Sequence, residues 1–441
     1  MNKQGKHRCL DRILLTALAL LAVTSAFASA QIRPLDEYVA RGAGKAPSYR
    51  VVDSTVEDGF RVLQVEFVSQ IWQDIPWTHR LFIVVPPDVE PSRTGVLFIS
   101  GSGSGDVETA GMLEVARMTR MPAAALMDVP NQPLFDDLWE DALMAYTFDQ
   151  FLQGADPDWL LLFPMTKGAV RALDVFQAVV AQEFGIEIGQ FVVAGGSKRG
   201  WTTWLTAAVD ERVTGIVPMV YNNLNLAAQM ELQSRTYSAG ASPMIDDYTA
   251  LDLSDVPDPA RVIELDFHID PYAYVERFVM PKMLLHGTND PFWPVDALNL
   301  YWDDLPGEKY VVNFANGGHD LGDMERALRN LALFTLHVTG EPLLSEVEWA
   351  LEEREDGLPG LEVKRTEKAV GAALYVASST SRDFTASKWE RLEPRETAAG
   401  WAAEPRPLPG HYLAFYMDVE YAIGQGETIA LSTPIFVVEP E

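Results

Sequence analysis

The segment Phe191–Gly200 constrains the fold more than any other part of the chain. Four apolar residues end at a pair of glycines, and Ser197 follows them, directly before a stretch with helical spacing that begins at Lys198. A strand that turns sharply into a helix pushes the residue at the turn out at the carboxyl edge of a sheet, where a hydroxyl is accessible. The segment therefore predicts a strand, a tight turn and a helix, with Ser197 exposed at a sheet edge.

The first thirty residues have the pattern of a secretory signal peptide. Four cations precede the apolar run 13–23, and small residues follow it at 26–30. The apolar run is too short to cross a hydrocarbon layer about 30 Å thick. We therefore expect residues 1–30 to be removed and the mature protein to be exported, to the periplasm or out of the cell.

The exported chain would be strongly acidic and free of thiols. The formal net charge is −29, and loss of the leader's four cations and one carboxylate brings it to −32. This charge repels phosphate backbones and anionic lipid, so the sequence argues against nucleic-acid binding and against stable membrane association. The sole cysteine, Cys9, lies in the leader. Neither disulfides nor thiol chemistry are expected in the mature chain.

Strand and helix patterns alternate to about residue 340 and then give way to short alternating runs. The alternation predicts an α/β domain over 31–350, with a mostly parallel sheet and helices on both faces. Residues 221–280 have weak periodicity and many aromatic and amide side chains, which is typical of a cap inserted after a sheet strand. Runs such as 361–365, 372–378, 412–419 and 429–438 predict a small, sandwich-like antiparallel β domain over 358–441.

Two later segments supply groups that would activate Ser197. A serine hydroxyl needs a base within hydrogen-bond reach and an acid that orients the base. Asp290 follows the predicted strand Lys282–His286 through a short turn, and His319 lies in a glycine-flanked loop after the apolar run 310–314. Because each residue follows a strand, and because the order is Ser, Asp, His, the three predict a catalytic triad.

Other acids and bases remain alternatives. Asp296 follows Pro294 in a pattern typical of helix capping, and Asp270 lies in the predicted cap. His286 ends a predicted strand, where a core or supporting role is more common than a catalytic one. Structural roles are also expected for the remaining histidines of the mature chain, which are His79, His268, His337 and His411.

Backbone amides are expected to stabilise the oxyanion that acyl transfer develops. One donor would be the amide of Lys198, and the second would come from the glycine loop at Gly101 and Ser102, which follows an apolar strand. That loop lacks the spacing of a dinucleotide site and the Lys-Ser/Thr ending of a phosphate-binding loop. No cofactor is expected, and the sequence contains no His-Glu-x-x-His motif that would indicate a catalytic metal.

Several polar and aromatic residues would lie on loops that leave the same edge of the sheet. They could bind a sugar or a peptide through stacking and amide hydrogen bonds, or they could pack the cap. These candidates for substrate binding are Asn131, Gln132, Trp139, Glu140, Tyr221 and Asn222.

The sequence resembles the PhoPQ-activated pathogenicity-related protein family, an α/β-hydrolase group of exported proteins. The matching segments are residues 195–204, Asp128–Leu134, Glu140–Thr147, Phe163–Lys167, Asp270–Tyr272, Met280–Lys282, Asn316–His319 and Ser381–Phe384. The resemblance implies an α/β-hydrolase fold, with Ser197 as nucleophile, Asp290 as acid and His319 as base, and a poorly defined substrate. Residues 286–294 also resemble the acid loop of prolyl-oligopeptidase-type hydrolases, which supports Asp290.

The turn after Ser197 departs from the usual nucleophile elbow. The usual pattern has glycine two residues after the serine, whereas this chain has Arg199 there and glycine at 200. A similar order occurs in glucuronoyl and related carbohydrate esterases, where a basic residue after the serine helps to bind the oxyanion. Lys198 would therefore either add its charge to the oxyanion site or be a solvated residue of the first helical turn.

Four functions remain open. A secreted serine esterase or amidase is the leading hypothesis. The alternatives are a prolyl-oligopeptidase-like peptidase, in which Glu140 and Asp141 would capture a peptide end, a glucuronoyl-esterase-like carbohydrate esterase, and a non-catalytic binding protein on a hydrolase scaffold. The expected partner is accordingly a small molecule, a sugar ester or a peptide.

Overall fold

The computed structural model describes residues 33–440, apart from 43, 45, 46, 90–92, 252 and 425. The segment 1–30, predicted to be a signal peptide, lies outside the described residues. Among the helices that are described, none combines the length and the apolar character needed to cross a membrane.

A nine-stranded sheet forms the centre of the described chain, and its strand order is β1-β2-β3-β5-β4-β6-β7-β8-β9. The strands are β1 (Tyr49–Glu57), β2 (Phe60–Trp72), β3 (Ile75–Val85), β4 (Thr94–Ile99), β5 (Ala123–Leu126), β6 (Gln190–Gly196), β7 (Val213–Met219), β8 (Lys282–Gly287) and β9 (Lys309–Phe314). From β5 to β9 all neighbours are parallel, whereas β1, β2 and β3 pair antiparallel.

Helices cover both faces of this sheet. They are α1 (Pro34–Ala40), α2 (Asp106–Thr119), α3 (Glu140–Leu152), α4 (Leu162–Phe184), α5 (Lys198–Val209), α6 (Leu226–Thr236), α7 (Asp246–Thr249), α8 (Ala260–Ile269) and α9 (Met324–Val338). Side chains alternate between two cores, so Val193 packs with α4 and α5 on one face while Val192 and Ala194 pack with α2 and α9 on the other. This double burial explains the nearly continuous apolar sequence of the central strands.

Two antiparallel sheets follow the large sheet. Their strands are β10 (Trp349–Glu353), β11 (Pro359–Lys364), β12 (Ala369–Ser379), β13 (Glu390–Leu392), β14 (Arg395–Glu396), β15 (Gly400–Ala403), β16 (Tyr412–Gly424), β17 (Glu427–Ser432) and β18 (Phe436–Val438). One sheet has the order β10-β11-β15-β14, and the other is β13-β12-β16-β17 with β18 beside β16. We call both sheets together the C-terminal β module. Its first strand begins before residue 358, the predicted start of the last domain.

The prediction of an α/β-hydrolase fold with antiparallel β structure at the C-terminus is confirmed. The predicted β run 429–438 comprises parts of two strands, β17 and β18. The break falls at Thr433 and Pro434, since proline has no N–H to donate to a strand ladder. The weakly periodic stretch 221–280 contains the helices α6, α7 and α8.

Candidate active site

Ser197 occupies a strained turn between β6 and α5. Its φ of 56° and ψ of −125° lie outside the backbone regions that residues with a side chain usually adopt. Such a strained turn is the geometry of a nucleophile elbow. Glycines make the turn possible, because a Cβ on Gly195 would lie 2.7 Å from the carbonyl oxygen of Arg199. A Cβ on Gly200 would lie 3.0 Å from the carbonyl oxygen of Met219. The third residue after the serine thus takes the close contact with the neighbouring strand, which leaves Arg199 free to carry a side chain.

The structure brings Ser197, His319 and Asp290 together at the carboxyl edge of the sheet. Nε2 of His319 lies 2.8 Å from the Ser197 hydroxyl, and Nδ1 lies 2.8 Å and 3.0 Å from the two carboxylate oxygens of Asp290. The tautomer with its proton on Nδ1 donates to Asp290 and leaves Nε2 to accept the serine proton. The ring of Phe292 stacks on the imidazole at 4.1 Å and fixes its plane.

The rival acids and bases lie elsewhere. Burial lowers the pKa of His286 to about 3, and its Nε2 has no hydrogen-bond partner within the described chain. Asp296 forms an ion pair with Arg382 of the C-terminal β module. Asp270 accepts hydrogen bonds from backbone N–H groups, including that of Leu226 at the start of α6, although burial raises its pKa to about 6.

The loop with Gly101 and Ser102 lies at the same edge, between β4 and α2. Gly101 packs directly against Arg199, because a Cβ there would lie 2.5 Å from the Arg199 guanidinium. The carbonyl oxygen of Gly101 accepts from the amide of Asp128 at 2.8 Å, which fixes the loop. Lys198 is the first residue of α5, so its amide is one of the free N–H groups at a helix N-terminus.

Two cations and two carboxylates form a closed network beside the nucleophile. Nζ of Lys198 lies 2.9 Å from Asp141 and 3.3 Å from Glu140. Arg199 donates to both carboxylate oxygens of Glu140, at 2.7 and 2.8 Å. Burial alone would raise the pKa of Glu140, but these hydrogen bonds, together with one from Gln132, lower it to about 2. The charges of Lys198 and Arg199 are therefore balanced within the protein.

A cavity of about 390 Å³ opens at Ser197 and Lys198. Its walls are mostly apolar and come from α3 and α5, from the loops after β7 and β8, and from the predicted cap. The side chains that form them include Phe148, Trp201, Tyr221, Leu226, Met230, Ile245, Tyr248, Leu265, Phe292 and Trp293. Trp201 and Tyr221 stack at 5.1 Å, so one wall is a rigid aromatic surface.

Of the six candidates for substrate binding, Tyr221 lines this cavity and the others do not. Gln132 and Glu140 hydrogen-bond to each other, and Asn222 accepts a hydrogen bond from the buried Tyr301 hydroxyl. Trp139, which directly precedes α3, is 44% exposed. Sequence reasoning missed Phe292, Trp293 and Tyr248. The aromatic pair within the predicted acid loop 286–294 was the available signal for the first two.

Comparison with known proteins places the chain in a family. The profile described as PhoPQ-activated pathogenicity-related protein matches residues 35–385. Autocrine proliferation repressor protein A of Dictyostelium discoideum is 32% identical, over 74% of this chain and 70% of that protein. An acetyl xylan esterase from Paenibacillus sp. R4 superposes with a TM-score of 0.50 at 17% identity, over 68% of this chain and 92% of that chain. The superposition shows a shared α/β-hydrolase fold.

Proposed function

We propose that this chain, which belongs to the PhoPQ-activated pathogenicity-related protein family, is a serine hydrolase that cleaves an ester or amide bond. The observation that carries the proposal is the hydrogen-bond chain from Ser197 through His319 to Asp290. The neighbour of the same fold from Paenibacillus is named an acetyl xylan esterase. As part of the proposal, we extend ester cleavage from that neighbour to this chain.

The mechanism follows from the positions of these atoms. Nε2 of His319 removes the hydroxyl proton as Oγ of Ser197 forms a bond to the substrate carbonyl carbon. Asp290 holds the imidazole in place and stabilises the imidazolium. The amides of Lys198 and of the Gly101–Ser102 loop stabilise the oxyanion. His319 then gives its proton to the leaving group as the ester or amide bond breaks, and water hydrolyses the acyl-enzyme by the same route.

The side chain of Lys198 has a supporting role in this proposal. Its ammonium group is held by Asp141 and Glu140, so the field that it adds at the oxyanion is largely cancelled by the two carboxylates. The backbone amide of Lys198 is the oxyanion donor, and the ion pairs fix the start of α5.

The substrate is proposed to carry an apolar group next to the scissile bond. The cavity at Ser197 falls within the roughly 300–1,000 Å³ of small-molecule sites and exceeds what an acetyl group fills. Its aromatic and aliphatic walls favour an alkyl or aryl group over a sugar ring. Glu140 and Asp141, which would have captured a peptide end, are occupied by Arg199 and Lys198, so this feature no longer favours the peptidase alternative.

Two assays test the proposal. A fluorophosphonate probe should label the wild type and not Ser197→Ala, because only an activated serine reacts readily. Absence of labelling in folded wild-type protein would favour the non-catalytic alternative. In a panel of p-nitrophenyl esters from acetate to decanoate, kcat/KM should rise with acyl length. Faster cleavage of acetylated xylan, glucuronoyl esters or aminoacyl anilides would refute the apolar assignment and leave the hydrolase assignment standing.

Export is proposed from the sequence of residues 1–30. N-terminal sequencing of the protein from an expressing bacterium should begin close to residue 31, in the periplasmic or culture fraction. Recovery of an intact leader in the cytoplasm would contradict this.

A further inference from the structure

The C-terminal β module contacts the loops that carry the acid and the base. The contact is made by residues 380–389, which connect β12 to β13. Phe384 and Trp389 are buried there in a small apolar cluster, against which Val295 and Ala315 pack from the loops after β8 and β9. The ion pair of Arg382 with Asp296 lies beside it, with 10% and 13% of the two side chains exposed.

Two asparagines attach the catalytic loops to the connection 380–389. Asn289, next to Asp290, donates from Nδ2 to the carbonyl oxygens of Thr385 at 2.9 Å and Ser387 at 2.6 Å. Asn316 lies in the loop that leads to His319. Its side chain accepts from the amide of Trp389 at 2.8 Å and donates to the carbonyl oxygen of the same residue at 3.1 Å.

A threonine joins the two attachments. The hydroxyl of Thr288 donates to Oδ1 of Asn289 at 2.9 Å and accepts from the amide of Asn316 at 2.8 Å. The amide of Asn289 also donates to the carbonyl oxygen of Gly317 at 2.8 Å. The acid loop, the base loop and the connection 380–389 thus share one hydrogen-bond network, in which the connection contributes backbone groups.

We propose that the connection 380–389 is a positioning element of the active site, and that Asn289 and Asn316 are positioning residues. By holding the loops after β8 and β9 at a fixed separation, the C-terminal β module keeps the Asp290 carboxylate against Nδ1 of His319. Neither asparagine touches the substrate cavity. A displacement of about 1 Å in catalytic geometry costs on the order of 100-fold in rate, so small changes in this network should be measurable.

The test compares Asn289→Ala and Asn316→Ala with Asn299→Ala as a matched control. Asn299 also donates from Nδ2 to a carbonyl oxygen of the C-terminal β module, that of Ile435 at 2.8 Å. It lies nine residues beyond Asp290, in the short helical turn Ala297–Leu300 of the connection between β8 and β9. We expect kcat for the best ester to fall about 10- to 100-fold in the first two variants, with KM close to wild type. The control should keep the wild-type kcat. Its Tm should fall by about as much as the Tm of Asn289→Ala and of Asn316→Ala.

The kinetic part of this test rests on the proposed function. A measurement without substrate separates the positioning role from that function. The proton shared by His319 and Asp290 should give a strongly downfield resonance in the proton NMR spectrum of the wild type and of Asn299→Ala. It should broaden or disappear in Asn289→Ala and Asn316→Ala. A retained resonance with unchanged kcat in those two variants, or equal losses in the control, would overturn the positioning role. An unlabelled and inactive wild type would refute the hydrolase assignment, while the resonance would still decide the positioning role.

Discussion

Replacement of Glu140 by glutamine should expose how strongly the charge network depends on one carboxylate. Glu140 has a φ of 48°, a backbone conformation that costs energy for a residue with a side chain, and it is held by Arg199, Lys198 and Gln132. In Glu140→Gln, Arg199 loses its bidentate charged partner, and Lys198 keeps only Asp141. Both cations are nearly buried, so neither is compensated fully by water.

The pKa of Glu140 gives the magnitude. Its fall from the ordinary value of 4.5 to about 2 corresponds to an upper bound of about 3 kcal/mol. Because the side chain is 40% exposed, solvent screening reduces this, and we expect about 1–2 kcal/mol from the carboxylate. A group whose folded pKa is depressed stabilises the protein fully above its unfolded pKa. That contribution is lost as the pH falls from about 4.5 towards 2.

Urea denaturation of wild type and Glu140→Gln at several pH values measures this difference. The free energy of unfolding of the variant should be lower at pH 7 and at pH 5, and the gap should close as the pH falls below 4. The comparison cancels other acid-sensitive groups, since both proteins share them. A gap that stays constant between pH 7 and pH 3 would show that the ion pairs with Glu140 are not what stabilises the fold at this site.

Three further substitutions probe the site. Gly195→Ala places a Cβ about 2.7 Å from a carbonyl oxygen, so fluorophosphonate labelling should fall at least tenfold even in protein that remains folded; unchanged labelling would contradict the packing argument. Lys198→Met should lower kcat less than tenfold on a neutral ester, whereas loss of a direct oxyanion contact costs about 100- to 1,000-fold. A loss of that size would favour the hypothesis that the charge of Lys198 stabilises the oxyanion. Met230→Trp, at a cavity residue that is 45% exposed, should slow decanoate cleavage several-fold and leave acetate cleavage unchanged; equal effects on both esters would argue that the acyl chain lies elsewhere.

The triad geometry follows a pattern that sequence alone exposes. Ser197 comes directly after β6, and Asp290 and His319 follow the ends of β8 and β9 by three and five residues. The carboxyl ends of parallel strands meet at one edge of a sheet. A few apolar runs therefore place three distant residues together without knowledge of any side-chain contact. The central strands were predictable for the same reason, since burial on both faces leaves a continuous apolar signature.

The cavity walls and the support of the catalytic loops were not predictable in this way. Leu226, Met230 and Leu265 lie in the stretch 221–280. The helices of this stretch pack within the cap, so their apolar residues do not recur at a regular spacing along the sequence. Asn289 and Asn316 bind backbone groups that lie 96 and 73 residues away along the chain, and a backbone group leaves no mark in the sequence. Such contacts depend on how two sheets pack against each other, which no local pattern encodes.

The pair Lys198–Arg199 shows why a sequence motif can leave the role of a side chain open. Two cations after a nucleophile are consistent with an oxyanion site, and the sequence alone does not show where their charge is compensated. In the structure Glu140 and Asp141 approach from the start of α3 and neutralise both cations. A buried cation needs such a partner, and a balanced network leaves the floor of an apolar cavity close to neutral. The basic pair is therefore best explained as the anchor of α5 beside the cavity, and the backbone amide of Lys198 remains the proposed oxyanion donor.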